Sequence, residues 1–352
     1  MKAIILAGGE GRRLRAVSGE LPKPLTPVCG RSVMEHILRL LSRQGFTDVC
    51  AAVKYRHELI EAAFGDGSRW GVTLRYRLED SPLGTAGAVK NCADFYGDED
   101  FLVISGDAVC DFDLAALMAE HRKRRACATL ALCRRSIPLR YGLAVTDEEE
   151  RIRCFVEKPD WHRVVSDLVN TGIYVLSPRA MAYVPENRPF DFGKDLFPLL
   201  LEKEELLLGK VAEGYWCDMG TPLDYYQCCV DALTGKVRLD LPEEFRPAPS
   251  LPSAVGEAAD HVEFVPCRDR AGIMGLLSAL MLELGAEYQD GIRLTGDNYR
   301  LHISPTASRS ALRLAVRCDD AEFAKALALS AGEVIRALET PSGEVDPPSA
   351  PL

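Results

Sequence analysis

The chain has 352 residues, 47% of them hydrophobic and 27% charged, with a formal net charge of -10 at pH 7. Such a composition belongs to an ordinary soluble globular protein with room for one large domain plus a smaller one, or for two medium domains. The acidic balance excludes a nucleic-acid polymer as the main partner, because proteins that grip DNA or RNA present a basic field; a small phosphorylated ligand stays compatible, since a few local Arg, Lys and backbone N–H groups can hold it.

The opening MKAIILAGG has too short an apolar core for a signal peptide and runs straight into glycines. No stretch reaches the roughly 20 apolar residues of a bilayer-crossing helix. A cytoplasmic protein with no membrane partner is therefore expected. Residues 2–6 read as a buried strand. An amphipathic helix follows at about 33–43, with Ile37, Leu38, Leu40 and Leu41 on its apolar face. The alternation continues with a strand at 49–53, a helix at 57–64, a strand at 72–76 and a helix after Gly84. It then runs through an apolar strand at 101–105, a helix at 114–121 and a strand at 128–133. Strands alternating with helices predict an α/β fold: a Rossmann-like, doubly wound, mostly parallel sheet, whose ligands bind at the carboxyl ends of the strands.

Four prolines, at 242, 247, 249 and 252, break the periodicity and predict a linker over 237–258 between a first domain at 1–236 and a smaller α+β domain at 259–340. That second domain is expected to hold a strand at 262–266, a helix at 273–284, strands around Ile292, Leu301 and 312–317, and a last helix at 321–338. The proline-rich end, 341–352, is predicted to be disordered. Twelve cysteines are spread along the chain without a CxxC pair, several inside apolar strands, so reduced core thiols are expected rather than zinc or disulfides.

The most informative segment is 6–14, LAGGEGRRL, directly after the first strand. Gly8, Gly9 and Gly11 let the backbone curl and present N–H groups to a polyphosphate, while Arg12 and Arg13 add charge with fork geometry suited to phosphate oxygens. The dinucleotide fingerprint fails because Leu14 stands where its last glycine belongs, and the P-loop fails for want of a Gly-Lys-Ser/Thr ending. About ten residues on, 22–27 reads PKPLTP, where the flanking prolines stiffen the chain around Lys23.

Together these two segments resemble the signature of the sugar-phosphate nucleotidyltransferases. Further matches follow in order: LGTAGA at 83–88, Gly106-Asp107 after the apolar strand, VEKP at 156–159, NTGIY at 170–174 and WCDMGTP at 216–222. The resemblance covers the first two-thirds of the chain. It implies nucleotide binding by Leu6, Ala7, Gly8, Gly9, Gly11, Arg12, Gly84, Thr85 and Gly106, and sugar binding by Gly142, Glu157, Asn170 and Thr171. It implies that Asp107 and Asp218 hold Mg²⁺, that Arg13 and Lys23 hold the departing pyrophosphate, and that Lys158 neutralises the sugar phosphate. Taken one at a time these residues have plainer readings: a lone Asp after a strand is ordinarily a turn former, and a lone Lys is solvated. Arg12 departs from the family, which usually has a small hydroxyl residue there, and 16–18 (AVS) replaces the commoner Pro-Leu-Thr.

The resemblance implies transfer of a nucleoside monophosphate to a hexose-1-phosphate with release of pyrophosphate. The segments DFGKDLFP at 191–198 and LGTAG at 83–87 resemble the mannose-1-phosphate guanylyltransferase branch, which implies GTP and mannose-1-phosphate. The alternatives are a glucose-1-phosphate uridylyl- or thymidylyltransferase, or a catalytically silent sensor of nucleotide-sugars. Retention of Arg13, Lys23, Asp107 and Asp218 favours the enzyme. Residues 261–339 resemble the last domain of the phosphohexomutases, through VPC at 265–267, Asp290-Gly291 and 298–310. That family's phosphate loop is degenerate here, with Ser304, Ala307 and Arg309 at key places, although Thr306, Ser308 and Arg309 are candidates for an anion. The mutase's phosphorylated serine loop and metal loop are missing, so mutase activity is not expected. Homo-oligomerisation stays open.

Overall fold

The computed structural model describes all residues except 12–13, 15–17, 136–139, 160–161, 163, 246–258, 268–272, 275–276, 278–291, 297–298, 306–310, 319 and 340–352. Strand β1 (Lys2–Ala7) is a short run of small and branched apolar residues, and Ala3, Ile4 and Ile5 are fully buried. A strand covered on both faces reads as such a run and not as an alternation. After it come the short strands β2 (Pro27–Val28) and β3 (Arg31–Ser32), and then helix α1 (Val33–Arg43), which buries Val33, Met34, Ile37, Leu38, Leu40 and Leu41 along one face. Strand β4 (Asp48–Val53), helix α2 (His57–Phe64) and strand β5 (Thr73–Leu78) continue the alternation. Helices α3 (Gly84–Lys90) and α4 (Ala93–Tyr96) lead to the buried strand β6 (Phe101–Ser105) and the short β7 (Ala108–Cys110).

Helix α5 (Leu114–Arg124) starts where the Asp113 side chain accepts a hydrogen bond from the Ala116 N–H at 2.8 Å, satisfying one of the orphan donors of the first turn. It runs three residues beyond the expected end because its last turn carries Arg122, Lys123 and Arg124, cations that favour a helix C-terminus. Strands β8 (Ala128–Arg134), β9 (Leu143–Thr146), β10 (Ile152–Val156) and β11 (Leu168–Leu176) follow. Next are α6 (Pro178–Met181), a π-helical turn at Phe192–Leu196, α7 (Phe197–Glu202), β12 (Leu207–Val211) and β13 (Trp216–Asp218).

Among the described residues the main sheet has nine strands. Its central path runs β10-β9-β11-β6-β1-β4-β5, with β8 joining β11 to β12. The quartet β6-β1-β4-β5 is parallel throughout, as expected of a doubly wound α/β sheet, and its carboxyl ends all point the same way. Strand β11 joins antiparallel to β6, with Ile173 opposite Ile104 and Leu176 opposite Phe101. A separate two-stranded ribbon pairs β13 with β7 antiparallel, Asp218 standing opposite Ala108.

A second, four-stranded antiparallel sheet has the order β14-β17-β16-β15, from strands β14 (Ala259–Pro266), β15 (Ile292–Thr295), β16 (Tyr299–Pro305) and β17 (Ala311–Cys318). Before it in the chain lies helix α8 (Pro222–Leu233), capped by the Thr221 hydroxyl on the Asp224 N–H, and after it helix α9 (Ala321–Glu339). Contacts divide the chain into two compact units. One comprises Met1–Glu10, Pro22–Pro24 and Val33–Asp218; the other comprises Gly11–Leu21, Leu25–Ser32 and Met219–Leu352. This grouping differs from a division at the proline-rich segment, because α8 packs against α9 and against β2, and the Phe245 ring fills the space over Gly30. The expected helix at 273–284, most of the linker and the C-terminal end lie largely outside the described residues. The cysteines are free thiols, ten of the twelve buried, as expected for core packing. Among the described residues no helix is long and apolar enough to cross a membrane.

Candidate active site

Strands β1, β4, β5 and β6 end side by side, and the residues just past their carboxyl ends line a cavity of about 360 Å³. Leu6, Ala7, Gly8 and Gly9 form its floor from β1. Lys54 follows β4, Glu79 follows β5, Ser105 ends β6, and Gly106 and Asp107 follow it. The Gly106 N–H donates to the Leu6 carbonyl at 2.9 Å, which ties the two strand ends together. Gly84 and Thr85 close another side at the start of α3. Gly84 has a φ of +70°, and a Cβ there would stand 2.6 Å from the Phe190 carbonyl oxygen, so both the turn and the close approach require glycine. The Thr85 hydroxyl donates to Asp191 at 3.0 Å and accepts from the Phe192 N–H at 2.9 Å, holding the segment 191–196 against the loop.

A second cavity of about 180 Å³ adjoins the first, sharing Ser105 and Asp107. Gly142, Glu157, Lys158, Asn170, Thr171 and Asp218 line it. The Glu157 carboxylate lies directly over Gly142, where a Cβ would come within 2.7 Å of its Oε2. Lys158 holds a left-handed φ of +42°, costly for a residue with a side chain, and its Nζ stands 3.5 Å from Glu157 while remaining largely exposed. Asn170 is held by its own turn: its Nδ2 donates to the Tyr174 hydroxyl at 2.9 Å and its Oδ1 accepts from the Gly172 N–H at 3.1 Å. Thr171 lines the cavity but spends its hydroxyl on the Ala131 carbonyl at 2.7 Å, so that group serves the sheet.

Between the cavities lies a small ionic cluster. Lys23 sits in a 3-10 turn, Lys23–Leu25, with only about a tenth of its side chain exposed. Its Nζ is 2.6 Å from Asp107 Oδ2 and 3.5 Å from Asp218 Oδ1. Burial pushes the Lys23 ammonium down, but the two carboxylates more than offset it and its pKa is raised. Burial likewise pushes Asp107 up, and the Lys23 charge, with hydrogen bonds from Lys23 and Ser105, brings it below the usual carboxylate range. Two hard oxygen donors that already flank a cation suit Mg²⁺. Among the described residues no group of three His, Cys, Asp or Glu is placed to hold a metal ion.

Thus the expected nucleotide-side residues Leu6, Ala7, Gly8, Gly9, Gly84, Thr85 and Gly106 meet in one cavity, and the expected sugar-side residues meet in the other. Gly11 is described but lines neither, and its carbonyl closes a turn by accepting from the Leu14 N–H at 2.8 Å. Arg12 and Arg13 lie outside the described residues. The motif reading missed Lys54, Glu79, Arg140, Tyr141 and Asp191 as lining residues. Lys54 and Glu79 could have been found, since each is the first residue past a parallel strand. Glu79 is half-buried, which raises its carboxyl against the opposing pull of the Leu83 N–H and Lys54. The others come from loops with no strand to announce them.

The chain matches the nucleotidyl transferase family over residues 2–235. It is 33% identical to the mannose-1-phosphate guanylyltransferase of Mycobacterium tuberculosis over 298 residues, covering 84% of this chain and 78% of that protein. It is 35% identical to the UTP–glucose-1-phosphate uridylyltransferase of Synechocystis over 253 residues; that match takes in 68% of this chain and spans just under two-thirds, 65%, of the relative. Among solved structures, HddC from Yersinia pseudotuberculosis complexed with GMP-PN superposes with a TM-score of 0.56 at 28% identity, covering 65% of this chain and 97% of that one.

Proposed function

Because the chain belongs to the nucleotidyl transferase family, we propose that it joins a nucleoside monophosphate to a hexose-1-phosphate and releases pyrophosphate, with GTP and mannose-1-phosphate as its preferred pair. The observation that carries this reading is the pair of cavities that meet at Asp107, one edged by the glycine loops and the other by Glu157, Lys158 and Asn170. The sugar phosphate and the nucleotide α-phosphate are both anions, so the task of the protein is to position them and neutralise charge. The backbone after β1 and the loop at Gly84–Thr85 hold the nucleotide. Lys23, together with Arg13, holds the departing pyrophosphate. Lys158 faces the sugar phosphate, and Glu157 accepts hydrogen bonds from sugar hydroxyls. No covalent intermediate on the enzyme is required, because the attacking oxygen belongs to the second substrate. Asp107 and Asp218 would hold Mg²⁺, which when bound supplies charge neutralisation at the reacting phosphates.

The choice of guanine and mannose is supported by the likeness to the Mycobacterium tuberculosis enzyme and by the segments at 83–87 and 191–198. The uridylyltransferase of Synechocystis, of similar identity, makes the substrate choice the point to test. Pyrophosphate release should be measured with Mg²⁺ across a matrix of nucleoside triphosphates and hexose-1-phosphates. GTP with mannose-1-phosphate should give the highest kcat/KM. A preference for UTP or dTTP with glucose-1-phosphate would overturn the substrate assignment, and no release from any pair would overturn the enzyme.

A further inference from the structure

The C-terminal sheet has two chemically different faces. One buries Leu294, Leu301, Leu314 and Val316, and α9 lies against it, with the Phe323 ring 5.8 Å from that of Tyr299. The opposite face carries the alternate positions of each strand, and the register sorts them into rows. Arg293, His302, Ala315 and Val262 are successive cross-strand neighbours from β15 to β14. Thr295, Arg300 and Arg317 form the next row, and Ser304, Arg313 and Phe264 a third. Four guanidinium groups and an imidazole therefore share one small patch.

That concentration is unusual for a chain of net charge -10. Strands β15, β16 and β17 contain no Asp or Glu at all. On β14, Glu263 points to the other face, where it meets Arg336 of α9 at 3.6 Å, while Asp260 stands in register with Arg317 at the end of its row. Arg300 and Arg317 are both exposed and stand directly opposite one another, which concentrates positive charge at the centre of this face. The face is also concave. A cavity of about 570 Å³ opens on it, lined by all four arginines, His302 and the exposed Val262 among others. A small molecule fits that volume, and guanidinium forks match phosphate oxygens two at a time.

We propose that this face binds a small phosphorylated anion, gripped by Arg293, Arg300, Arg313 and Arg317 with His302 at the centre. It shares no residue with the two cavities described above, and binding here is independent of the reaction proposed there. The chemistry fits free pyrophosphate and a sugar phosphate alike, so both belong in the test.

The full chain should be titrated with inorganic pyrophosphate, and separately with glucose-6-phosphate, at constant pH and ionic strength. The imidazole resonances of His302 report locally on the patch. In the wild type they should shift and saturate with at least one probe; the tighter of the two identifies the source. In the double variant Arg300→Gln/Arg317→Gln, at two exposed positions, the apparent Kd at His302 should rise at least tenfold. The initial rate of pyrophosphate release from GTP and mannose-1-phosphate, measured before product accumulates, should stay within about twofold of the wild type, because neither arginine lines the two other cavities. His302 resonances that move with neither probe, or a double variant that binds as tightly as the wild type, would overturn the site.

Discussion

Lys23 sits where two carboxylates would otherwise repel each other, 2.6 Å from Asp107 and 3.5 Å from Asp218. Its substitution by Met removes the attraction that holds Asp107 down but keeps the burial that pushes it up. The lowered Asp107 contributes stability that is present above the unfolded carboxyl value and lost as pH falls through the folded one. The stability difference between wild type and Lys23→Met, read from denaturant melts, should therefore shrink as pH drops from about 6 towards about 3. A difference that stays constant across that window would show that the pair is not linked to folding. Asp107→Asn keeps the shape and removes the charge. It should lower turnover by roughly two orders of magnitude or more while leaving the melting temperature within a few degrees. Unchanged turnover in that variant would remove Asp107 from the reacting centre. Both residues were legible in the sequence, each inside a multi-residue motif, whereas Arg140 and Tyr141 were not, because loop residues carry no periodicity.

Helix α5 and strand β8 are joined at His121, which is buried, with its Nδ1 2.9 Å from the Thr129 hydroxyl. Burial, opposed by Asp100 and reinforced by Arg179 and Arg122, pushes the imidazole down to about 4. The folded state thus binds its proton later than the unfolded chain does, and stability is lost as pH falls from about 6.5 to about 4, by an amount on the order of 3 kcal/mol. His121→Asn, which can still meet Thr129, should flatten that slope by one proton's worth relative to the wild type; an identical slope would mean that His121 does not titrate on unfolding. The strand pair β9–β10 brings Gly142 under Glu157. A methyl at Gly142 would meet both the Phe155 ring and the carboxylate, so Gly142→Ala should raise KM for the hexose phosphate about tenfold and leave KM for the nucleotide alone. Equal effects on both would show that the substitution damages the fold and not the sugar side. Elements of this kind were legible where one period dominates, as in α1 and β1. The short strands β7 and β13 were not, since three residues carry no pattern.

Across the whole molecule, the decisive contact is the ribbon that pairs β13 with β7 and sets Asp218 opposite Ala108, the neighbour of Asp107. Asp111 helps to hold that ribbon by accepting from the Tyr215 N–H at 2.7 Å, and Trp216 Nε1 donates to the Thr171 carbonyl at 3.0 Å. Asp111→Ala should cost about 1–2 kcal/mol of stability and lower turnover several-fold by loosening Asp218, although it touches neither cavity. Full turnover in a folded Asp111→Ala protein would show that Asp218 keeps its place without this support. The sequence by itself determined the α/β class, the parallel quartet and the ordered motifs, because hydrophobic period and glycine spacing are local properties of the chain. Only the tertiary structure decided that two distant aspartates share one lysine and that two cavities meet at Asp107. It also decided that four arginines on three strands face the same side. Strand register sets these juxtapositions, and register is settled by which distant segments pair.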